Sequence, residues 1–327
     1  MSESKPVALV TATFRGPGLD RLREVADVVL DPWIDITPLR IWDGAKLAER
    51  VRETGATILI VESDFVMGGD IMDLGLIAIG SCRGDPNNVD VTAATAAGIP
   101  VLNAPGRNAD GVAELAIALT LAVGRHVLPA DADLRAQQVF KEDSIPYQRY
   151  RAWQIAGRTV GIVGLGAVGR ATTWRFAGLG MRVISYDPFN PDATHDSLEA
   201  LLAESDVVSM HAPPLPDTLG MIGAAQFAAM KDGAVYVNTA RAALHDLDAL
   251  VGALRSGKLA GAGLDHFEGE QLPEGHPLIG MPNVVLTPHI GGATYDTEVN
   301  HSAMLADDIA LLLAGDKPLH CVNPEVL

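Results

Sequence analysis

Short apolar runs alternate with amphipathic stretches along most of this 327-residue chain. In the first hundred residues, Val7–Thr11, Val25–Leu30, Thr57–Val61, Leu76–Gly80 and Pro100–Leu102 read as short strands rich in aliphatic residues. Ala45–Thr54 and Thr92–Ala97 read as helices between them. Such alternation predicts a small doubly wound α/β unit with a parallel sheet. Then Val112, Leu115, Ala116, Leu119 and Val123 recur at helical spacing, which predicts a long, largely buried helix over Asp110–Val123. Asp131–Arg151 is charged and polar, with Phe140, Tyr147 and Tyr150 interspersed and Trp153 just beyond. It reads either as an arm that packs on a partner subunit or as a surface excursion covering its own core.

From Arg158 the rhythm resumes. Strands are expected at Val160–Val163, Arg182–Tyr186, Asp206–Met210, Ala234–Asn238, Gly261–Leu264 and Val284–Leu286. Helices are expected near Arg170–Ala177, Ser197–Ala203, Ala224–Ala229 and Asp246–Arg255, with a last one at Val299–Leu313. The pattern predicts one domain from residues 1–105 and 294–327. A second domain, 106–293, is inserted into it, with the arm near 128–157. Two crossings between domains imply a cleft and a hinge.

The first strand of the second set runs into Gly164-Leu-Gly-Ala-Val-Gly169, a G-x-G-x-x-G turn opening a helix. Gly164 allows the tight turn, Gly166 lets backbone approach a pyrophosphate, and Gly169 lets the helix pack close to the strand. Alone the motif is weak, since glycine also punctuates ordinary loops. Here the next strand ends at Asp187, where an acidic side chain can accept hydrogen bonds from a ribose diol and would repel a 2′-phosphate. That pairing points to NAD rather than NADP. The competing reading is that Asp187, preceding Pro188, starts a turn.

A net charge of −17 disfavours nucleic acid and anionic membrane surfaces as partners. Two cysteines without a CxxC argue against a disulfide framework or zinc site and suit a reducing cytoplasm. The N-terminus lacks a signal-peptide pattern, and no apolar run reaches membrane-spanning length.

Ligands of a parallel sheet bind beyond the carboxyl ends of its strands. Those ends lead in turn into the glycine turn, Asp187, His211-Ala-Pro-Pro, Asn238-Thr-Ala-Arg241, Asp265 and Thr287-Pro-His-Ile-Gly-Gly292. The residues assigned to the cofactor are Gly164, Gly166, Ala167, Val168, Gly169, Asp187, His211, Ala212, Pro213, Thr218, Thr239, Ala240, Arg241, Asp265, His289, Gly291 and Gly292. Arg241 offers a fixed planar cation for a carboxylate or polarised carbonyl. His289 is the candidate proton carrier. Glu270 can hold it in one tautomer and favour the protonated ring by charge. Taken singly, each has a plain alternative: a solvated arginine, a turn histidine, an acid in a polar loop.

Together these segments resemble the D-isomer-specific 2-hydroxyacid dehydrogenase family over nearly the whole chain. The resemblance rests on Asn88-Val-Asp90, Asn108 through Glu114-Leu115, Gly164–Gly169, Asn238–Arg241, Gly263-Leu-Asp265, Glu270 and Thr287–Gly292. It implies two doubly wound parallel-sheet domains, a Rossmann NAD-binding domain inserted into a flavodoxin-like substrate domain, and a homodimer built largely by the cofactor domains. It implies hydride transfer between NAD(H) and a 2-oxo/2-hydroxy acid pair, without a metal. In that scheme Arg241 binds carboxylate and carbonyl, His289 is general acid/base, Glu270 is its partner, and Asp265 lies against the nicotinamide end.

The departures also carry information. The loop that is glycine-rich in many members reads Ser81-Cys-Arg-Gly-Asp-Pro-Asn87 here, which makes Arg83, Gly84 and Asp85, with Arg241 and His289, the substrate-side candidates. Arg83 either reaches a distal polar or phosphate group or pairs with Asp85. Ala242 stands where glycine is usual, and His266 where a small apolar residue is common. Alternatives kept open are a short-type D-3-phosphoglycerate dehydrogenase, a phosphite-oxidising enzyme, and a non-catalytic NAD-sensing, corepressor-like scaffold. A formate dehydrogenase fits less well, because that branch has glutamine where Glu270 stands.

Overall fold

The structure, a computed structural model, describes residues 4–68, 70–141 and 143–327. The chain divides into two compact units: residues up to Arg107 together with Thr294–Leu327, and Asn108–Ala293.

In the first unit the elements are β1 (Val7–Val10), α1 (Pro17–Val25), β2 (Asp27–Leu30), α2 (Gly44–Thr54), β3 (Ile58–Val61), β4 (Ala78–Ser81), α3 (Val91–Ala96) and β5 (Val101–Leu102). All strands pair in parallel in the order β2-β1-β3-β4-β5, which is the flavodoxin-like order. Strands β3 and β4 are buried throughout, as expected for a parallel sheet covered on both faces. Val25 closes α1 instead of opening β2. Pro17 in the first helical turn starts that helix. Its Gly18 lies against the backbone of Ser302, where any Cβ would overlap main-chain atoms. That contact spans almost the whole chain, so no local pattern reports it.

The second unit holds α4 (Ala109–Gly124), α5 (Val127–Arg135), α6 (Pro146–Arg149), β6 (Thr159–Val163), α7 (Ala167–Gly178), β7 (Arg182–Tyr186), α8 (Leu198–Glu204) and β8 (Val207–Met210). It continues with α9 (Ala224–Ala229), β9 (Ala234–Asn238), α10 (Leu247–Arg255), β10 (Leu259–Leu264) and β11 (Val284–Leu286). Six parallel strands run in the order β11-β10-β9-β8-β6-β7. The chain leaves β6 for β7 on one side and returns to β8 on the other, so the switch point lies between β6 and β8. Helix α4 packs close to β10 because that strand carries Gly261 and Gly263: a Cβ at Gly263 would come within 2.7 Å of Leu119 Cβ. Burying a leucine in this way contributes about 1.5–3 kcal/mol.

Helix α11 (Tyr295–Leu313) returns to the first unit. It starts four residues before the predicted Val299, because the Thr294 hydroxyl caps it by accepting from the Thr297 N–H. Asn323 then ties the tail to the edge strand, its carboxamide oxygen accepting from Val101 N–H at 2.7 Å and its amide donating to the Ile99 carbonyl at 2.9 Å. Among the described residues, no single helix is long and apolar enough to cross a membrane.

Candidate functional site

The glycine turn comes first, because backbone geometry makes it. Gly164 has φ +95°, a region open to glycine, and a Cβ there would press on the His211–Ala212 backbone, 2.7 Å from Ala212 N. The exits of β6 and β8 therefore touch at the switch point. A Cβ on Gly169 would overlap the Gly164 carbonyl oxygen, so helix and strand can approach this closely only with glycine. Gly166 differs: no protein atom lies within 4 Å of where its Cβ would be. The space above it is open toward whatever approaches the backbone. Helix α7 begins at Ala167, not near Arg170, so the free N–H groups of its first turn belong to Ala167, Val168 and Gly169. These residues fit a dinucleotide pyrophosphate.

Asp187 closes this end. Its Oδ2 accepts from Leu165 N–H at 2.8 Å and its Oδ1 from Phe189 N–H at 3.0 Å. The carboxylate is pinned to the glycine turn and retains lone pairs for a diol. It also serves the local turn, so the two readings of this residue coexist.

At the other strand exits, side chains mostly build the rim. His211 turns inward: its Nε2 lies 2.8 Å from Ser209 Oγ, its Nδ1 has no partner among the described residues, and burial pushes its pKa down to about 3. Its contribution to the groove is therefore backbone. Ala212 is nearly buried, whereas Pro213 is exposed and its carbonyl accepts from the Thr218 hydroxyl, which closes the turn locally. Asn238 folds the next turn, donating to the Arg241 carbonyl at 2.8 Å and accepting from Ala240 N–H at 2.9 Å. Thr239 is buried, and its Oγ1 has no partner among the described residues. Arg241 stays exposed, its Nη1 donating to the Ala240 carbonyl at 2.6 Å.

Asp265 is fully buried and organises the last exit. Oδ1 accepts from the Thr287 hydroxyl at 2.6 Å and Ile290 N–H at 2.9 Å, and Oδ2 from Gly291 N–H at 2.8 Å. The His289 N–H donates to the Asp265 carbonyl at 2.9 Å. These bonds hold His289 at φ +54°, a left-handed conformation that non-glycine residues seldom adopt. Glu270 sits at φ +61°. Gly292 packs on Asn108, with 3.0 Å from its would-be Cβ to Nδ2.

The two strained residues meet. His289 Nδ1 and Glu270 Oε1 are 2.9 Å apart. An ionised carboxylate only accepts, so Nδ1 carries the proton and Nε2 is left for chemistry. His266, noted in the sequence only as a departure, packs its ring 3.8 Å from that of His289. Its pKa falls to about 3, first through burial and then through the charges of His289 and Arg241. The charges of Arg241, Glu270 and His289 thus all act on one buried imidazole.

The other substrate-side candidates, Arg83, Gly84 and Asp85, belong to the first unit. Arg83 Nε donates to the Glu62 carbonyl at 2.7 Å and Nη1 to Asn87 Oδ1 at 2.6 Å. These bonds tie the guanidinium to the end of β3 and to its own loop. The Gly84 carbonyl accepts from Asn103 at 2.6 Å, and Asp85 is exposed.

Known proteins resemble this chain along nearly its whole length. Residues 117–291 match the model of the D-isomer specific 2-hydroxyacid dehydrogenase NAD-binding domain. A glyoxylate reductase of Thermofilum pendens is 34% identical over 99% of this chain and 96% of its own length. A D-3-phosphoglycerate dehydrogenase of Archaeoglobus fulgidus is 35% identical over 86% of this chain and 54% of its own length. Among solved structures, the TT0316 protein from Thermus thermophilus superposes with TM-score 0.80 at 38% identity, covering 97% of this chain and 99% of that one. An NADPH-dependent glyoxylate/hydroxypyruvate reductase from Sinorhizobium meliloti gives 0.78 at 28% identity, covering 98% of each. The chain belongs to the D-isomer specific 2-hydroxyacid dehydrogenase family, whose members are NAD(P)-dependent oxidoreductases.

Proposed function

We propose that this chain reduces a small 2-oxo acid, or oxidises the matching D-2-hydroxy acid, with Arg241, Glu270 and His289 as its working residues. The observation that carries this reading is the 2.9 Å contact between His289 Nδ1 and Glu270 Oε1 at a strand exit of an NAD-binding domain. NAD(H), when bound, supplies or accepts the hydride. Arg241 binds the substrate carboxylate and stabilises charge developing on the carbonyl oxygen. His289 gives that oxygen a proton from Nε2, and takes it back in oxidation. Glu270 keeps the proton on Nδ1, so Nε2 always faces the reaction. Asp265 acts one step behind, holding the loop that aims the ring.

Asp187 favours NAD over NADP, because its carboxylate would face a 2′-phosphate. The arm supports a homodimer: Phe140, Tyr147 and Leu134 are 79%, 80% and 66% exposed, a large apolar surface for one helical excursion. It keeps its shape through buried Asp133, which accepts from Lys141 at 2.6 Å and the Tyr150 hydroxyl at 2.5 Å.

The test is His289→Gln, assayed by NADH oxidation with glyoxylate, hydroxypyruvate, pyruvate and longer 2-oxo acids. Turnover should fall by about 10²–10⁴-fold, the usual worth of general acid–base catalysis, with NADH binding retained. Wild-type-like turnover would refute the assignment, and cofactor binding without turnover by the parent protein on any acid would favour the sensing scaffold.

A further inference from the structure

We propose that His266, Glu270 and His289 form a binding site for a borderline transition-metal ion of the Zn²⁺ type, and that the ion reversibly blocks the enzyme. One ligand atom from each of the three lies within 4.8 Å of the other two. A tetrahedral ion with bonds of about 2.1 Å needs donors roughly 3.4 Å apart, so shifts of about an ångström close the set. Glu270 supplies that movement, being exposed, whereas His266 is buried and fixed.

Two further features suit a metal. The rings of His266 and His289 lie 3.8 Å apart, so two imidazole donors are already neighbours. The partial exposure of His289 and Glu270 leaves the remaining coordination positions open to water or a ligand. Arg241 acts on the same imidazole and opposes the ion, a cost that the carboxylate of Glu270 offsets. The ion takes the place of the proton shared by Nδ1 and Oε1, removing the pair from proton transfer. That consequence rests on the proposed roles of His289 and Glu270, whereas the binding itself does not.

The experiment titrates Zn²⁺ into chelator-treated, tag-free protein by calorimetry, alongside His266→Val and His266→Gln. One ion per chain is expected, with at least about tenfold weaker binding in both variants. NADH oxidation by the parent should be inhibited over the same concentration range and restored by EDTA, while both variants turn over but resist Zn²⁺. A parent that binds no Zn²⁺ at 100 times its own concentration, or variants that bind it equally well, would overturn the site. Binding without inhibition would leave the site and overturn the blocking role. Anomalous scattering from a Zn²⁺-soaked crystal of the parent reads the same claim without a variant: a peak among the three donors supports it, and a peak elsewhere or none refutes it.

Discussion

Replacing Asp187 with Asn tests the cofactor end by a change of one charge. The carboxylate now accepts from Leu165 and Phe189 N–H groups at 2.8 and 3.0 Å, leaving two of its lone-pair positions for a ribose diol. Asn keeps one accepting oxygen, so the link to the glycine turn survives while the charge goes. A unit charge pair at 4 Å is worth ~1 kcal/mol in bulk water, and a phosphate carries about −1.5 to −2, so NADPH escapes a repulsion of roughly 1.5–2 kcal/mol. NADH loses a charge-assisted hydrogen bond worth about 1.5–3 kcal/mol, part of which Asn restores. At 1.4 kcal/mol per decade, the kcat/KM ratio for NADPH over NADH should rise by about ten- to a hundredfold. Initial rates with both cofactors at a fixed 2-oxo acid measure it, with thermal melting as the control for folding. A ratio that moves less than twofold would show that Asp187 only shapes its turn. A wild-type preference for NADPH would remove the argument altogether.

Gly169→Ala should lower Tm and weaken NADH binding together, at a cost of about 1–3 kcal/mol, because the new methyl overlaps the Gly164 carbonyl; unchanged NADH affinity by fluorescence titration would contradict this. His301 is buried, receives Arg107 Nη1 on Nδ1 at 2.7 Å, donates from Nε2 to the Thr13 carbonyl at 2.6 Å, and has its pKa lowered by burial to about 4. The unfolded state therefore binds the extra proton first, and the stability held above about pH 6.5 is lost as pH falls toward 4. Calorimetric Tm should drop over that window and drop less in His301→Gln; equal slopes would exclude His301 as a source. Phe140→Ser with Tyr147→Ser should shift the chain from dimer to monomer in sedimentation, and a wild-type that sediments as a monomer would dispose of the arm as an interface.

Much of this was legible in the chain. Parallel strands buried on both faces are nearly continuous apolar runs, so Ala234–Asn238 occurs as read, and the edge strands Arg182–Tyr186 and Val284–Leu286 also occur as read. Glycines, Asp187, Arg241, Glu270 and His289 stood out because their types and their places at strand exits answer to chemistry. The N-terminal boundaries of α7 and α11 lay earlier than read, since a helix start depends on capping, and the threonine or glycine that caps looks like loop. Helix α1 went unread although Pro17 opens it and Asp20 and Arg23 sit in its first and last turns; what the chain could not show is its packing on Ser302.

Which of those marked residues meet, and how, only the tertiary structure decided. Sequence order placed Glu270 and His289 nineteen residues apart; backbone pinned at positive φ by Asp265 brings Nδ1 and Oε1 to 2.9 Å. His211 and Thr218 read as groove polars; the fold buries the His211 ring on Ser209 and has the Thr218 hydroxyl close a local turn. His266 read as an oddity and proved to be a buried imidazole packed on His289. The chain's own periodicity and residue types specify elements and candidate chemistry, because both are local. Burial, tautomer and contact depend on packing between distant segments, and those properties came from the fold.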